Sequence, residues 1–224
     1  MKPMIAFLAF ALVETVRVVG PAYPPDALAG GNVVAVLRVS AGSVGGVDIL
    51  QGDEPFTNPV RSALSRWRFK GSDNGRFLVV VNFRTPAVYS TGSPVRDIAS
   101  AQQTPGLAYP RNVVEPPYPP NSMAEGSVVL HLDISETGFV AKVKVVQGLG
   151  NLTGACAATV RKWQFNPARD KSGNAAPSEA YAVFVVRRPV LNAGVGQVGN
   201  LQHGNVVRAA APCDKRANLL SDHE

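Results

Sequence analysis

The chain lacks most of the residue constellations that announce a chemistry. Its 224 residues hold three histidines and two cysteines. No histidine stands at metal-ligand spacing from another histidine or from a cysteine. His131 reads as lying on the solvent-facing side of a strand, and His203 and His223 fall in a Gly/Asn-rich tail. There is no Gly-x-Ser-x-Gly motif and no phosphate-binding glycine loop. Gly194–Gly199 matches G-x-G-x-x-G, but it follows no clear strand and opens no helix. No catalytic residue, metal or cofactor is therefore expected.

Basic residues never run five in a row, although the net charge is +6. Helix-turn-helix, zinc-finger and aromatic RNA-binding signatures are missing, so nucleic acid is not an expected partner. An apolar stretch of membrane-spanning length is also missing, since a span needs roughly 18–20 residues. The longest run follows Lys2 and ends at Val13, before Glu14. With Ala9-Phe10-Ala11 as a small-x-small pattern, residues 1–17 read as a weak secretory signal or as an N-terminal segment packed as strand or helix.

The residues that are present suit a folded chain. Hydrophobic residues make up 46%, in the globular range. The 21 glycines and 18 prolines favour many turns and short strands.

The sequence also repeats itself. Val18-Val19-Gly20-Pro21-Ala22-Tyr23-Pro24-Pro25 parallels Val113-Val114-Glu115-Pro116-Pro117-Tyr118-Pro119-Pro120, at an offset of 95 from Tyr23 to Tyr118. Arg66-Trp67-Arg68-Phe69 parallels Lys162-Trp163-Gln164-Phe165, at an offset of 96 from Trp67 to Trp163. The added residue falls most simply in the hairpin around Thr137-Gly138.

Each copy reads alike. Val128, Leu130, Leu132 and Ile134 alternate with Val129, His131 and Asp133, the period of a half-buried strand. Val33, Ala35, Leu37 and Val39 form the matching face of the first copy. Glu136-Thr137-Gly138 makes a tight connection, and the next strand turns Ala141, Val143 and Val145 inward and Lys142 and Lys144 outward. Leu152, Cys156, Val160 and Trp163 then form one helical stripe, as do Phe56, Val60, Leu64 and Trp67.

The expected fold is α+β. It consists of two tandem modules, each a three-stranded antiparallel sheet with one main helix packed on it. Module 1 spans 18–86 and is the more degenerate. A linker covers 87–112, module 2 spans 113–189, and a Gly/Asn-rich tail covers 190–224. Trp67, Phe69, Trp163 and Phe165 are the expected structural core. Cys156 and Cys213 are 57 residues apart. They are two unrelated thiols, or a candidate disulfide if the chain is exported.

The anchors of the repeat resemble one family. A Tyr-Pro entry, a Gly before the first strand, a Gly in the hairpin, and the closing Lys162-Trp163-Gln164-Phe165-Asn166-Pro167-Ala168 are similar to the C-terminal domain of TonB energy transducers. The resemblance covers about 22–86 and 117–189. It implies a periplasmic domain linked to outer-membrane transport, or one at the periplasmic face of the inner membrane if an upstream anchor is missing. Its partners would be outer-membrane receptors or other envelope protein segments.

In that family a receptor's extended motif pairs with the domain's last strand. The expected peptide-binding edges are thus Phe77, Val79, Val81 and Phe83 in module 1 and Tyr181, Val183, Val185 and Arg187 in module 2. Exposed edges also recruit copies of themselves, so self-association through sheet edges is a second expectation. The chain departs from a full transducer, for it shows neither a membrane helix nor a long Pro-rich spacer. An envelope scaffold or assembly module that transduces no energy is the alternative.

Overall fold

The computed structural model describes residues 15–71, 74–85, 93–117 and 124–187. In chain order the strands are β1 (Thr15–Arg17), β2 (Gly31–Ser40), β3 (Ser43–Gly52), β4 (Arg68–Phe69), β5 (Gly75–Arg84), β6 (Tyr109–Asn112), β7 (Gly126–Ile134), β8 (Val140–Gln147), β9 (Gln164–Asn166), β10 (Ala168–Arg169), β11 (Ala175–Ala176) and β12 (Ser178–Val186). The α-helices are α1 (Thr57–Leu64) and α2 (Leu152–Val160).

Eight of these strands form one continuous sheet in the order β1-β4-β3-β2-β5-β12-β7-β8. This corrects the expectation of two separate three-stranded modules. The hairpins β2–β3 and β7–β8 and the helix after each are present. However, β5 and β12 pair with each other in parallel, from Leu78 against Ala180 to Arg84 against Val186. Each last strand also pairs antiparallel with the first strand of its own hairpin. The seam therefore fuses both expected sheets into one.

The physical reason lies in the second face of each sheet. Successive side chains on a strand point to opposite faces. Val33, Ala35 and Leu37 pack with Val60, Leu64 and Trp67. Their neighbours Val34 and Val36 pack with Leu152, Cys156, Val160 and Trp163 on the other side. The two helices thus cover opposite faces of the shared sheet. A lone three-stranded module would leave Val34, Val36, Leu78 and Val80 uncovered, or Val129, Tyr181, Val183 and Val185 in the other half. All eight are buried here. Each such burial stabilises by about 1.5–3 kcal/mol relative to exposure.

The remaining segments complete the two layers. Residues 93–112, within the expected linker, lie against the sheet through Val95, Ile98, Leu107, Ala108 and Tyr109. Strand β6 in this stretch pairs with β9. The two hairpin tips are tied down alike. The Phe69 N–H donates to the Gly42 carbonyl and the Phe165 N–H to the Gly138 carbonyl, both at 2.8 Å. Gly138 has φ +83°, and a Cβ there would stand 2.0 Å from the Phe165 carbonyl oxygen. Only glycine permits that approach.

Candidate functional site

The residues expected to form open edges lie inside the sheet. Phe77, Val79, Val81 and Phe83 belong to β5, between β2 and β12. Tyr181, Val183 and Val185 belong to β12, between β5 and β7. Their backbone rows are paired on both sides, so neither strand is left open to accept another. Arg187 follows β12, donates to the Ala27 carbonyl at 2.7 Å and stands 5.6 Å from the Tyr23 ring centre.

Trp67, Phe69, Trp163 and Phe165 are buried. The Trp67 indole N–H donates to the Val19 carbonyl at 2.8 Å, and the Trp163 indole N–H to the Val114 carbonyl at 2.7 Å. Each tryptophan thereby fixes the chain entry of its own half. Cys156 is buried in α2. Desolvation pushes its thiol up to about 12, with the Arg84 charge opposing. Cys213, His203, His223 and the Gly194–Gly199 stretch lie outside the described residues.

The sheet ends instead at β8. This strand is eight residues long and, among the described residues, pairs with β7 alone, apart from a bridge between Phe139 and Gln164 at its start. Its register against β7 slips at two places, leaving Ala141 and Val146 without direct partners. Between these bulges, Lys142 faces Asp133, Val143 faces Leu132, Lys144 faces His131 and Val145 faces Leu130. Phe139 and Val145 are 55% and 47% exposed. The sequence did carry one signal for this edge. Outward lysines at alternate positions are a common feature of edge strands.

The equivalent strand of the other half is more occupied. Strand β3 meets β4 at Ser43. The Arg61 guanidinium donates to the Val47 carbonyl at 2.6 Å. The Gln51 side chain donates to the Pro94 carbonyl at 3.2 Å and accepts from the Arg96 N–H at 3.0 Å.

Two polar clusters lie behind these edges. His131, read from the sequence as solvent-facing, is 4% exposed because both faces of β7 are covered. Its Nε2 lies 3.2 Å from Glu179 Oε2 and its Nδ1 lies 3.6 Å from Asp133 Oδ1. Asp133 and Glu179 are direct cross-strand partners, an arrangement that like charges disfavour. The imidazole stands between them with one nitrogen toward each carboxylate. The Glu179 contact is a hydrogen bond and Asp133 stands just beyond that distance, while one ligand atom from each of the three groups lies within 4.8 Å of the other two. The second cluster joins the two halves. Arg84 pairs with Glu115, and Asn82 donates to Asn32 at 2.5 Å.

An open cleft lies between residues 103–109 and 166–173. Two of its charged groups serve their own turn: Asp170 accepts from the Ser172 and Asn174 N–H groups, and Arg169 donates to the Gly173 carbonyl.

Residues 114–185 match the family described as Gram-negative bacterial TonB protein C-terminal. The match spans the β7–β8 hairpin, α2 and most of β12. That segment is thus similar to the C-terminal region of TonB proteins. No curated protein and no solved structure matches the chain. Among the described residues no helix is long and apolar enough to cross a membrane.

Proposed function

We propose that the chain is a TonB-like periplasmic protein that binds extended segments of partner proteins by strand addition, in connection with outer-membrane transport. The observation that carries this reading is the side of β8 that no described residue pairs with, within the segment similar to the TonB C-terminal domain. An unpaired strand offers a row of N–H and C=O groups that an extended segment can satisfy. Titrating the ¹⁵N-labelled chain with plug peptides from outer-membrane receptors tests it. Amide shifts confined to 139–147 and its β7 partners are expected. A titration that leaves β8 unmoved would remove the reading.

One observation favours a second reading, an envelope scaffold that transduces no energy. The last strand of each half is consumed by the other at the β5–β12 seam. Receptor-dependent uptake in cells lacking the chain separates the two. Lost uptake supports the transport link, and intact uptake supports the scaffold.

A further inference from the structure

We infer that the β8 edge selects an extended segment whose side chains alternate between acidic and apolar. This rests on the strand-addition reading. The bulges at Ala141 and Val146 bracket a regular window, Lys142 to Val145. A strand laid beside that window sets alternate side chains next to Lys142 and Lys144 on one face, and next to Val143 and Val145 on the other.

Charge selects the first set. Asp133 and Glu179 are both turned to His131. Among the described residues, neither lysine forms an ion pair. Carboxylates on the incoming strand would complete them, while basic side chains would meet like charge. The apolar face selects the second set. Val145 is exposed and Val143 half-buried, and Val145 would gain cover.

The same lysines disfavour a second copy as occupant. Antiparallel pairing of β8 with itself, centred on Lys142, Val143 or Lys144, sets lysine against lysine. The β3 edge differs, since Asp48 is already held by Arg38 at 2.9 Å and the Val47 carbonyl by Arg61.

The test uses the full chain and three synthetic peptides, alternating Val/Glu, Val/Lys and Val/Ser, followed by amide shifts and affinity at low salt. The Val/Glu peptide should shift 140–147 and bind about tenfold more tightly than Val/Lys, as two gained and two repelled charge pairs allow. The surface variant Lys142→Glu/Lys144→Glu should reverse that order. Equal binding of the Val/Glu and Val/Lys peptides overturns the inference and leaves strand addition standing. So does an unchanged order in the double variant, or a receptor peptide that moves β8 while Val/Glu does not. If no peptide moves β8, strand addition itself falls. A chain that dimerises through β8 assigns the edge to a second copy and also overturns the inference.

Discussion

In the β2–β3 hairpin the register slips at Gly45 and Leu50; in β7–β8 it slips at Ala141 and Val146, 96 residues further on in both cases. The tips are held by the same Gly-to-Phe hydrogen bond. Backbone geometry is thus shared, and the side chains on it differ. In the first hairpin Arg38 on β2 closes on Asp48 of β3. In the second the signs are reversed: Asp133 sits on β7, and Lys142 and Lys144 sit on β8. The inner acid turns to His131, and the outer lysines form no ion pair among the described residues. The shared bulges shape both edges, while the side-chain chemistry decides which one remains open.

The largest expected effect tests whether the halves fold as one body. Trp67 and Trp163 are each fully buried and each anchors an entry segment. Truncation of either to Ala should cost about 3–5 kcal/mol. With a continuous sheet and a shared seam, both variants should lower one common urea transition, followed by far-UV circular dichroism and by the remaining tryptophan's fluorescence. Two transitions, with only one moved by each variant, would show that the halves unfold separately and would break the comparison at its base.

A smaller effect separates the two hairpin tips. Gly42 and Gly138 have φ of +71° and +83°. A Cβ on Gly42 would stand 2.7 Å from the Phe69 carbonyl oxygen, against 2.0 Å between Gly138 and Phe165. Left-handed backbone and a close carbonyl both oppose a side chain. Gly138→Ala should cost about 1–3 kcal/mol, and Gly42→Ala less. The urea midpoints of the two variants check the order. Equal midpoints would mean that the tips tolerate the same strain.

The local units were readable in the sequence for a physical reason. Hairpin alternation, the helical stripe ending in Trp and the glycine tip each depend on residues close in the chain. The seam does not. It pairs Leu78 with Ala180 across a hundred residues, and local periodicity is silent on such partners. One trace was present. Phe77-Leu78-Val79-Val80-Val81 and Ala182-Val183-Phe184-Val185-Val186 are continuous apolar runs, as strands buried on both faces require. Reading them as half-buried last strands placed the binding edge at the centre of the sheet. The same reading turned His131 outward, where the second face is in fact covered by Tyr181 and its neighbours. Lys142 and Lys144 are outward as read, but Ala141 and Val145, read as inward, are exposed too, and the position of this strand at the end of the sheet emerges only from the order of the whole sheet.

The smallest effect concerns the helices, where Cys156 of α2 takes the place that Val60 holds in α1. Both are buried. Cys156→Val transplants the first half's residue into the second, a swap of similar volume that should change stability at neutral pH by less than about 1.5 kcal/mol. Its signature should appear in alkali. Burial raises the native thiol from its ordinary 9.0 to about 12, so above pH 9 the unfolded chain sheds a proton that the native chain retains. The unfolded state then binds fewer protons, and stability falls as pH rises from about 9 toward about 12. Tyr23 acts in the same direction, its hydroxyl being raised to about 12 mainly by burial. It is common to both chains and cancels in their difference. Urea midpoints at pH 8 and pH 10.5 should therefore diverge less for Cys156→Val than for the parent. Parallel pH profiles would show that the thiol is solvated in the native fold, and that the second helix seals its face less completely than the first.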